Sequence, residues 1–127
     1  MLWRTKWFYM NDRDVTVLEK ILKYIDEING TVSRFELDFD KFKNDFVMKN
    51  AISMCLLQIG ELVVNLTDEF KIEHSKMPWR EIVAVRNRAA HGYGSIDMEV
   101  IWDIVTINIP ELKQYCENIM EEKEDYE

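Results

Sequence analysis

The stretch from residue 48 to residue 66 most constrains the fold, because its apolar side chains recur every three or four positions. Its apolar members are Met48, Ile52, Cys55, Leu56, Ile59, Leu62, Val63 and Leu66. Such spacing is typical of one face of an α-helix. Asp45 stands just before it and can cap the first turn. The stretch therefore predicts a long helix that buries one face in a core.

Two further stretches predict long helices. The first starts at the capping side chains of Asn11 and Asp12 and ends at Gly30, a residue typical of helix C-termini. Its apolar face comprises Val15, Leu18, Ile21, Leu22, Ile25 and Ile28. The last helix starts at the capping residue Asp97, and Pro110 predicts a kink within it. Its apolar face comprises Ile101, Ile104, Val105, Leu112, Tyr115 and Ile119.

The connecting segments complete an all-α pattern. Residues 31–44 predict a loop and one short helix, and Pro78 suits the first turn of a helix that leads into residues 79–93. Only four Gly and two Pro occur in 127 residues, which disfavours the many turns of a sandwich or barrel. We therefore predict one domain over residues 1–127, folded as an antiparallel bundle of four to five helices with a kinked last helix.

The two ends stand apart from this pattern. Residues 1–9 are rich in aromatic side chains without a clear period, and an upstream extension, a misassigned start codon and a docking strap all remain open. Residues 121–127 form an acidic tail that we expect to be solvated. The N-terminus lacks a hydrophobic signal core, and no apolar run reaches the length of a membrane span. These features predict a cytoplasmic protein with no membrane contact.

Charge is unevenly distributed along the chain. The net charge of -8 argues against a protein that coats nucleic acid through its overall field. Residues 71–91 nevertheless hold five Lys and Arg against two Glu, a net of +3, together with both histidines, His74 and His91. The basic window can indicate a focused phosphate site, or the acidic remainder of the chain can indicate a surface for a basic partner. The charge distribution can also be uneven without any functional meaning.

The residues most suited to chemistry are Arg86, His91 and Tyr93. A guanidinium grips phosphate with a planar fork of donors, an imidazole can move a proton near neutral pH, and a phenol can hydrogen-bond or be modified. Arg86 and His91 are five positions apart, which separates them by about 140° on a straight helix. Either the helix loosens near Gly92 and Gly94, or the Arg86 side chain swings round, or a second copy of the chain completes the site.

Flanking landmarks add to this motif. Arg86, His91 and Tyr93 follow Pro78-Trp79-Arg80-Glu81-Ile82, precede Asp97-Met98-Glu99-Val100-Ile101-Trp102, and have Gln58-Ile59-Gly60-Glu61 upstream. This array, over roughly residues 10–120, resembles the HepT-like toxins of the HEPN superfamily. The resemblance implies a small helical ribonuclease, the toxin of a toxin-antitoxin system, whose partner is a nucleotidyltransferase antitoxin. It also favours a homodimer in which two copies of the motif face one another.

The resemblance also implies a role for each matching residue. Arg86 and His91 would be catalytic in a metal-independent endoribonuclease, with Asn87, Arg88 and Tyr93 binding the RNA substrate. Tyr93 would be the phenol to which the antitoxin transfers AMP. Where many relatives have an acidic residue after the histidine, this chain has Gly92, so no role for a carboxylate is expected there.

Other chemistry is predicted to be absent. No cofactor is expected, and His74 and His91 have no common metal-ligand spacing. Cys55 and Cys116 lie in apolar helical patterns, which indicates buried, reduced thiols.

Two residues upstream of the motif carry their own expectations. Gly60 in mid-helix predicts a close helix crossing that compensates for its cost of about 1 kcal/mol. Glu61 is interpreted either as a partner for the arginine or histidine or as a solvated carboxylate. The alternative to the enzyme is a non-catalytic HEPN module that binds nucleotide or RNA, or that serves as scaffold for a nucleotidyltransferase.

Overall fold

The computed structural model describes residues 11–90 and 98–125, and within these two ranges the chain is helical without a strand. The predicted all-α bundle is confirmed. The elements in chain order are α1 (Asp12–Arg34), α2 (Phe39–Asn44), α3 (Phe46–Val64), α4 (Asp68–Glu73), α5 (Trp79–Ala90), α6 (Met98–Asp103), a π-helical turn (Ile104–Asn108) and α7 (Ile109–Asp125).

Both predicted caps among the described residues are present. The Asn11 side chain accepts a hydrogen bond from the backbone N–H of Arg13 at 2.7 Å, at the start of α1. The Asp45 carboxylate accepts from Val47 and Met48, at 2.9 and 3.2 Å, at the start of α3. Each side chain satisfies donors that the first helical turn leaves without partners. Asp97, the third predicted cap, lies outside the described residues.

The prediction that α1 ends at Gly30 is wrong. The helix continues to Arg34, and the residue in the left-handed region is Glu36, with a φ of 48°. The N–H of Leu37 bonds the carbonyl of Val32, and the N–H of Glu36 bonds that of Ser33. These two bonds form a Schellman motif, so Glu36 occupies the position that glycine usually takes. The short helix predicted within residues 31–44 is α2.

The core lies between α1, α3 and the C-terminal helices. The predicted apolar faces are largely confirmed, although Val17 is buried where Val15 was expected. Cys116 is buried as predicted, whereas Cys55 is only half-buried. The side chains with the least exposure are Leu18, Ile21, Ile25, Ile28, Phe42, Ile52, Ile59, Val63, Ile101 and Cys116.

A buried polar network holds α4 and α5 onto this core. Asp14 of α1 accepts hydrogen bonds from the N–H and the hydroxyl of Thr67, at 2.8 and 2.7 Å, and Thr67 in turn caps α4. His74 is buried beside Tyr115, with 3.1 Å between Nδ1 and the phenol oxygen. The Trp79 indole donates to the His74 carbonyl at 3.1 Å. These bonds satisfy polar groups that would be costly to bury alone.

The last helical run contains a π-helical turn shortly before Pro110, the residue at which the sequence predicted a kink. Proline lacks an N–H, and its ring would collide with the carbonyl four residues earlier in a regular helix. The chain accommodates Pro110 by forming the π-helical turn Ile104–Asn108 immediately before it. The Thr106 side chain helps to stabilise the π-helical turn, because its hydroxyl donates a hydrogen bond to the Trp102 carbonyl at 2.8 Å. Helix α7 then continues to Asp125.

Helix α3 is more apolar than the sequence analysis recognised. By length and composition Phe46–Val64 could cross a membrane, contrary to the expectation that no run is long enough. The core helix of a soluble protein passes the same test. Only 28% of its most apolar stretch is buried within the chain, so much of its apolar surface faces outward.

Candidate active site

The candidate site is built where α3 crosses α5, at Gly60 and Arg86. A Cβ placed on Gly60 would overlap the Cβ of Arg86 and lie 3.2 Å from its Cα. The two backbones can approach this closely only because Gly60 has no side chain. The predicted close crossing at Gly60 is therefore present, and Arg86 is the residue that it accommodates.

The Arg86 guanidinium is held by two side chains. Its Nη1 donates to Glu61 Oε1 at 3.0 Å, and its Nε and Nη2 donate to Asn87 Oδ1 at 3.1 and 2.9 Å. The three bonds use three of its five N–H groups and leave one on each terminal nitrogen for other contacts. The Arg86 side chain remains 29% exposed. The result is an oriented, solvent-accessible cation that suits an anionic ligand.

Glu61 is a partner of Arg86, one of the roles that the sequence analysis left open for it. Its side chain is 51% exposed, so the ion pair with Arg86 is screened by water and contributes little to stability. Its main effect is geometric, because a carboxylate on α3 fixes the direction of a guanidinium on α5. Gly60 and Glu61 thus act on Arg86 from adjacent positions of one helix.

Asn87 is placed differently from its sequence interpretation. The sequence analysis grouped it with the substrate-binding residues, whereas its Oδ1 is directed to the neighbouring Arg86. The Nδ2 group is then the end of this amide that can donate to a phosphate. Sequence reasoning missed the Arg86–Asn87 pair, because adjacent helix residues do not normally face one another.

Three other predicted site residues are not placed. His91 and Tyr93 lie outside the described residues, together with Gly92 and Gly94. Arg88 belongs to α5, but its side chain is also outside what the structure describes. The angular relation between Arg86 and His91 therefore stays a prediction.

The basic window does not form a uniformly basic surface. Lys71 and Arg80 line one cleft of about 810 Å³ between α4 and α5, and Asp68 and Glu81 line the same cleft. The carboxylates offset the two cations there. Arg86, positioned by its neighbours, is therefore the more specific candidate for binding a phosphate.

Over the described ranges, 11–90 and 98–125, no group of three or more His, Cys, Asp or Glu side chains could hold a metal ion. His74 is buried in the polar network with Tyr115. Burial lowers the pKa of His74 to about 4, an effect that nearby Asp14 partly opposes. A neutral, buried imidazole is a poor candidate for proton transfer to a substrate near pH 7.

A second cleft, which the sequence did not predict, lies on the same helices. It encloses about 310 Å³ between α3, α5 and the π-helical turn, with mostly apolar walls. Asn108 and Glu81 are the polar residues in the lining that the structure describes. The sequence feature nearest to this cleft is Pro110, because the π turn that lines the cleft lies just before this proline. Such turns are frequent at functional sites.

The comparisons with known proteins agree on one family. The model of the family described as ribonuclease HepT-like matches residues 21–119. A candidate RNase of Caldanaerobacter subterraneus is 36% identical over 87 residues, which cover 68% of this chain and 78% of that protein. The probable ribonuclease HepT of Thermococcus cleftensis is 34% identical over 84 residues, or 66% and 76% of the two chains.

A third relative extends the match over nearly the whole chain. A candidate RNase of Methanocaldococcus jannaschii is 29% identical over 117 residues, which cover 91% of this chain and 99% of that protein. No solved structure matches the chain.

Proposed function

The chain belongs to the HepT-like ribonuclease family, and from this premise we propose that it is the toxin of a toxin-antitoxin pair and cuts RNA internally without a metal ion. One observation carries the proposal: Glu61 and Asn87 orient the Arg86 guanidinium while leaving it open to solvent. A pre-oriented cation can stabilise the charge that develops on a phosphate without reorganising during the reaction. The two names that relatives carry, RNase and ribonuclease HepT, point to RNA as the source of that phosphate.

The reaction uses a nucleophile that RNA itself carries. The 2′-hydroxyl oxygen attacks the adjacent phosphorus, the bond to the 5′-oxygen of the next nucleotide breaks, and a 2′,3′-cyclic phosphate forms. His91 either removes the proton from the 2′-hydroxyl or delivers a proton to the departing 5′-oxygen, since its ordinary pKa of about 6.5 suits either duty. Water makes the other proton transfer. Arg86 binds the non-bridging oxygens, and Asn87 and Arg88 contribute to binding of the RNA strand.

A nucleotidyltransferase antitoxin would control this activity through Tyr93. The phenol oxygen attacks the α-phosphorus of ATP, pyrophosphate leaves, and the phenolic proton is lost to solvent. The product is an AMP group joined to Tyr93 by a phosphodiester. Its negative charge would compete with RNA for Arg86, seven positions earlier in the chain.

The active form is proposed to be a homodimer. Phe46, Val47 and Met54 lie on α3 with 72%, 54% and 54% of their surface exposed. Val47, Met54 and Glu61 are spaced by seven and so share one face of α3. A second copy covering this apolar face would bring the two Arg86 sites toward one another and create a cleft for RNA.

The test of catalysis is cleavage of RNA by the purified protein in EDTA. Products should end in a 2′,3′-cyclic phosphate or its hydrolysis product. Arg86→Ala and His91→Ala should each abolish cutting with the helical circular dichroism unchanged, and Arg80→Ala on the same helix is the matched control. A strict need for added magnesium would contradict the mechanism. RNA that is bound but never cut would instead favour a non-catalytic binding module.

The test of the dimer is sedimentation at micromolar concentration. The parent should have twice the chain mass, and Met54→Glu should sediment as a monomer and lose activity. Ile72→Glu, at an exposed apolar position of α4, is the control that should do neither. A monomeric parent that still cleaves RNA would show that the site is complete within one chain.

A further inference from the structure

The apolar cleft between α5 and the π-helical turn lies on the side of α3 away from the Arg86 guanidinium. Leu56 and Ile59 of α3 form its floor, and both are buried. Glu61, which binds Arg86, is two positions after Ile59 and is therefore about 200° from it around α3. An occupant of the cleft would thus leave the Arg86 guanidinium open to RNA.

The cleft is elongated along the C-terminal helical run. Val100, Ile104, Asn108 and Leu112 line it, and they are spaced four positions apart. Four positions correspond to about one turn in α6, in α7 and in the π-helical turn, so these residues form one continuous stripe. The twelve positions from first to last span about 18 Å at about 1.5 Å per residue. A wall of this length suits a segment of protein chain, such as a helix laid in a groove.

An acidic edge runs beside this apolar stripe. The residues immediately before the last three members of the stripe are Asp103, Ile107 and Glu111, and all three are exposed. They are also four apart, so they form a second stripe next to the first, with an isoleucine between two carboxylates. Residues 98–112, which form this side of the cleft, hold three Asp and Glu and no Lys or Arg. The edge therefore favours a partner that combines an apolar surface with positive charge.

The cleft lies between the two helices that residues 91–97 connect. Val85 of α5 and Val100 of α6 line it, and Tyr93 is eight positions after the first and seven before the second. An extended chain spans at most about 3.6 Å per residue, so the Cα of Tyr93 lies within about 25 Å of that of Val100. A small domain is about 30 Å across. A protein docked in the cleft can therefore reach Tyr93 with its active site.

We propose that the nucleotidyltransferase antitoxin docks in this cleft through an amphipathic helix with apolar and basic side chains, an inference that rests on the proposed function. The apolar side chains of that helix would fill the cleft over Leu56 and Ile59, and its Lys or Arg side chains would pair with Asp103 and Glu111. From this position the antitoxin transfers AMP from ATP to the Tyr93 phenol, with loss of pyrophosphate and of the phenolic proton.

Binding of the purified cognate nucleotidyltransferase, measured by calorimetry without ATP, tests the docking surface separately from both reactions. The double variant Asp103→Lys/Glu111→Lys should bind at least about tenfold more weakly than the parent, because the reversed charges repel a basic helix. Glu121→Lys/Glu122→Lys makes the same change in net charge at exposed positions of α7 outside the cleft, and it should bind like the parent. Equal affinity of the two double variants, or no binding by the parent, would overturn the proposal.

Ile107→Ser tests the apolar part of the same surface. Ile107 is 53% exposed, so the substitution should leave the fold intact. It should weaken binding of the nucleotidyltransferase at least about fivefold, because an apolar side chain is no longer removed from water by the partner. Ile72→Ser, on α4 at 75% exposure, is the matched control and should bind like the parent. Parental affinity in Ile107→Ser would contradict docking over this stripe.

The two reactions then separate the docking surface from the proposed function. With ATP, Asp103→Lys/Glu111→Lys should be labelled on Tyr93 with a higher KM and an unchanged kcat, and it should cut RNA like the parent. Loss of RNA cleavage, or a monomer where the parent is a dimer, would overturn the proposal and assign the cleft to the fold or to a subunit contact. A parent that does not cut RNA would refute the proposed nuclease, while the affinities of the two double variants would still decide the docking site.

Discussion

Gly60 and Arg86 pack so closely that a Cβ on Gly60 would overlap the Arg86 side chain, which places a close contact of α3 and α5 at the candidate catalytic arginine. Gly60→Ala should therefore displace Arg86 as well as strain the crossing. We expect a loss of about 1–3 kcal/mol in the free energy of unfolding, in spite of the better helix propensity of alanine. Urea denaturation measures the loss, and RNA cleavage should fall with it.

Gly30→Ala is the matched control for this substitution. Gly30 is in the interior of α1, and a Cβ there would meet nothing within 4 Å. The same change should stabilise the protein by about 1 kcal/mol at this position. Equal effects of the two substitutions would show that the crossing tolerates a side chain.

Glu36→Gly should also stabilise the fold, by about 1 kcal/mol. Glu36 has a φ of 48° in the Schellman motif after α1, a conformation that costs little only for glycine. The gain should appear as a higher urea midpoint with an unchanged slope. Glu19→Gly, at an exposed position inside α1, should lower the midpoint instead, because glycine is unfavourable in a helix interior. A lower midpoint for Glu36→Gly would contradict the assigned backbone conformation.

Glu61→Gln should separate orientation of the arginine from stability. The amide can still accept one hydrogen bond from Arg86 but lacks the charge that fixes the guanidinium. Because the pair is exposed, the free energy of unfolding should change by less than about 1 kcal/mol. Cleavage should fall by about tenfold, as is typical when a supporting residue is removed. Glu69→Gln, on α4, is the control and should keep the parental activity. If Glu61→Gln also keeps the parental activity, Arg86 does not depend on Glu61 for its orientation.

The buried His74 should make the fold sensitive to acid. Burial lowers its pKa from 6.5 to about 4, so the folded chain binds fewer protons than the unfolded chain between those values. The contribution of neutral His74 is fully present above pH 6.5 and is lost as the pH falls toward 4. Thermal melts from pH 7 to 4 should show this decline. His74→Gln should have a lower melting temperature at pH 7, but that temperature should fall less between pH 7 and 4 than in the parent. An equal fall in both proteins would show that other groups cause the acid sensitivity.

Local signals in the sequence predicted much of the fold and part of the site. Asp45 and the apolar spacing that follows it identified α3, because capping and periodicity depend on neighbours along the chain. Gly60 predicted a close helix crossing, and Glu61 was interpreted either as a partner of the arginine or histidine or as a solvated carboxylate; the structure places both at Arg86. Capping and periodicity need no knowledge of distant contacts, whereas the choice of Arg86 as the partner comes from the packed fold.

What the sequence did not predict depends on tertiary contacts or on competing local effects. Asp14 and Thr67 are 53 positions apart, and only the packed fold shows that one binds the other. Gly30 was read as a helix end, but the helix continues through it and closes at Glu36. The apolar cleft is lined by residues of α3, α5 and the C-terminal helices together with the π turn, so it too depends on tertiary packing that no apolar pattern specifies.

Tyr93→Phe tests the proposed control by the antitoxin. If Tyr93 accepts AMP, the variant should remain folded and should no longer be labelled at this position by the cognate nucleotidyltransferase with ATP. It should therefore stay active in the presence of the antitoxin, whereas the parent loses cleavage as its mass rises by that of AMP. Tyr24→Phe, on α1, is the control and should be labelled and silenced like the parent. The physical reason is local, because a phosphodiester on Tyr93 would occupy Arg86 and exclude RNA. AMP found on another residue, or silencing of Tyr93→Phe by the antitoxin, would show that the switch lies elsewhere.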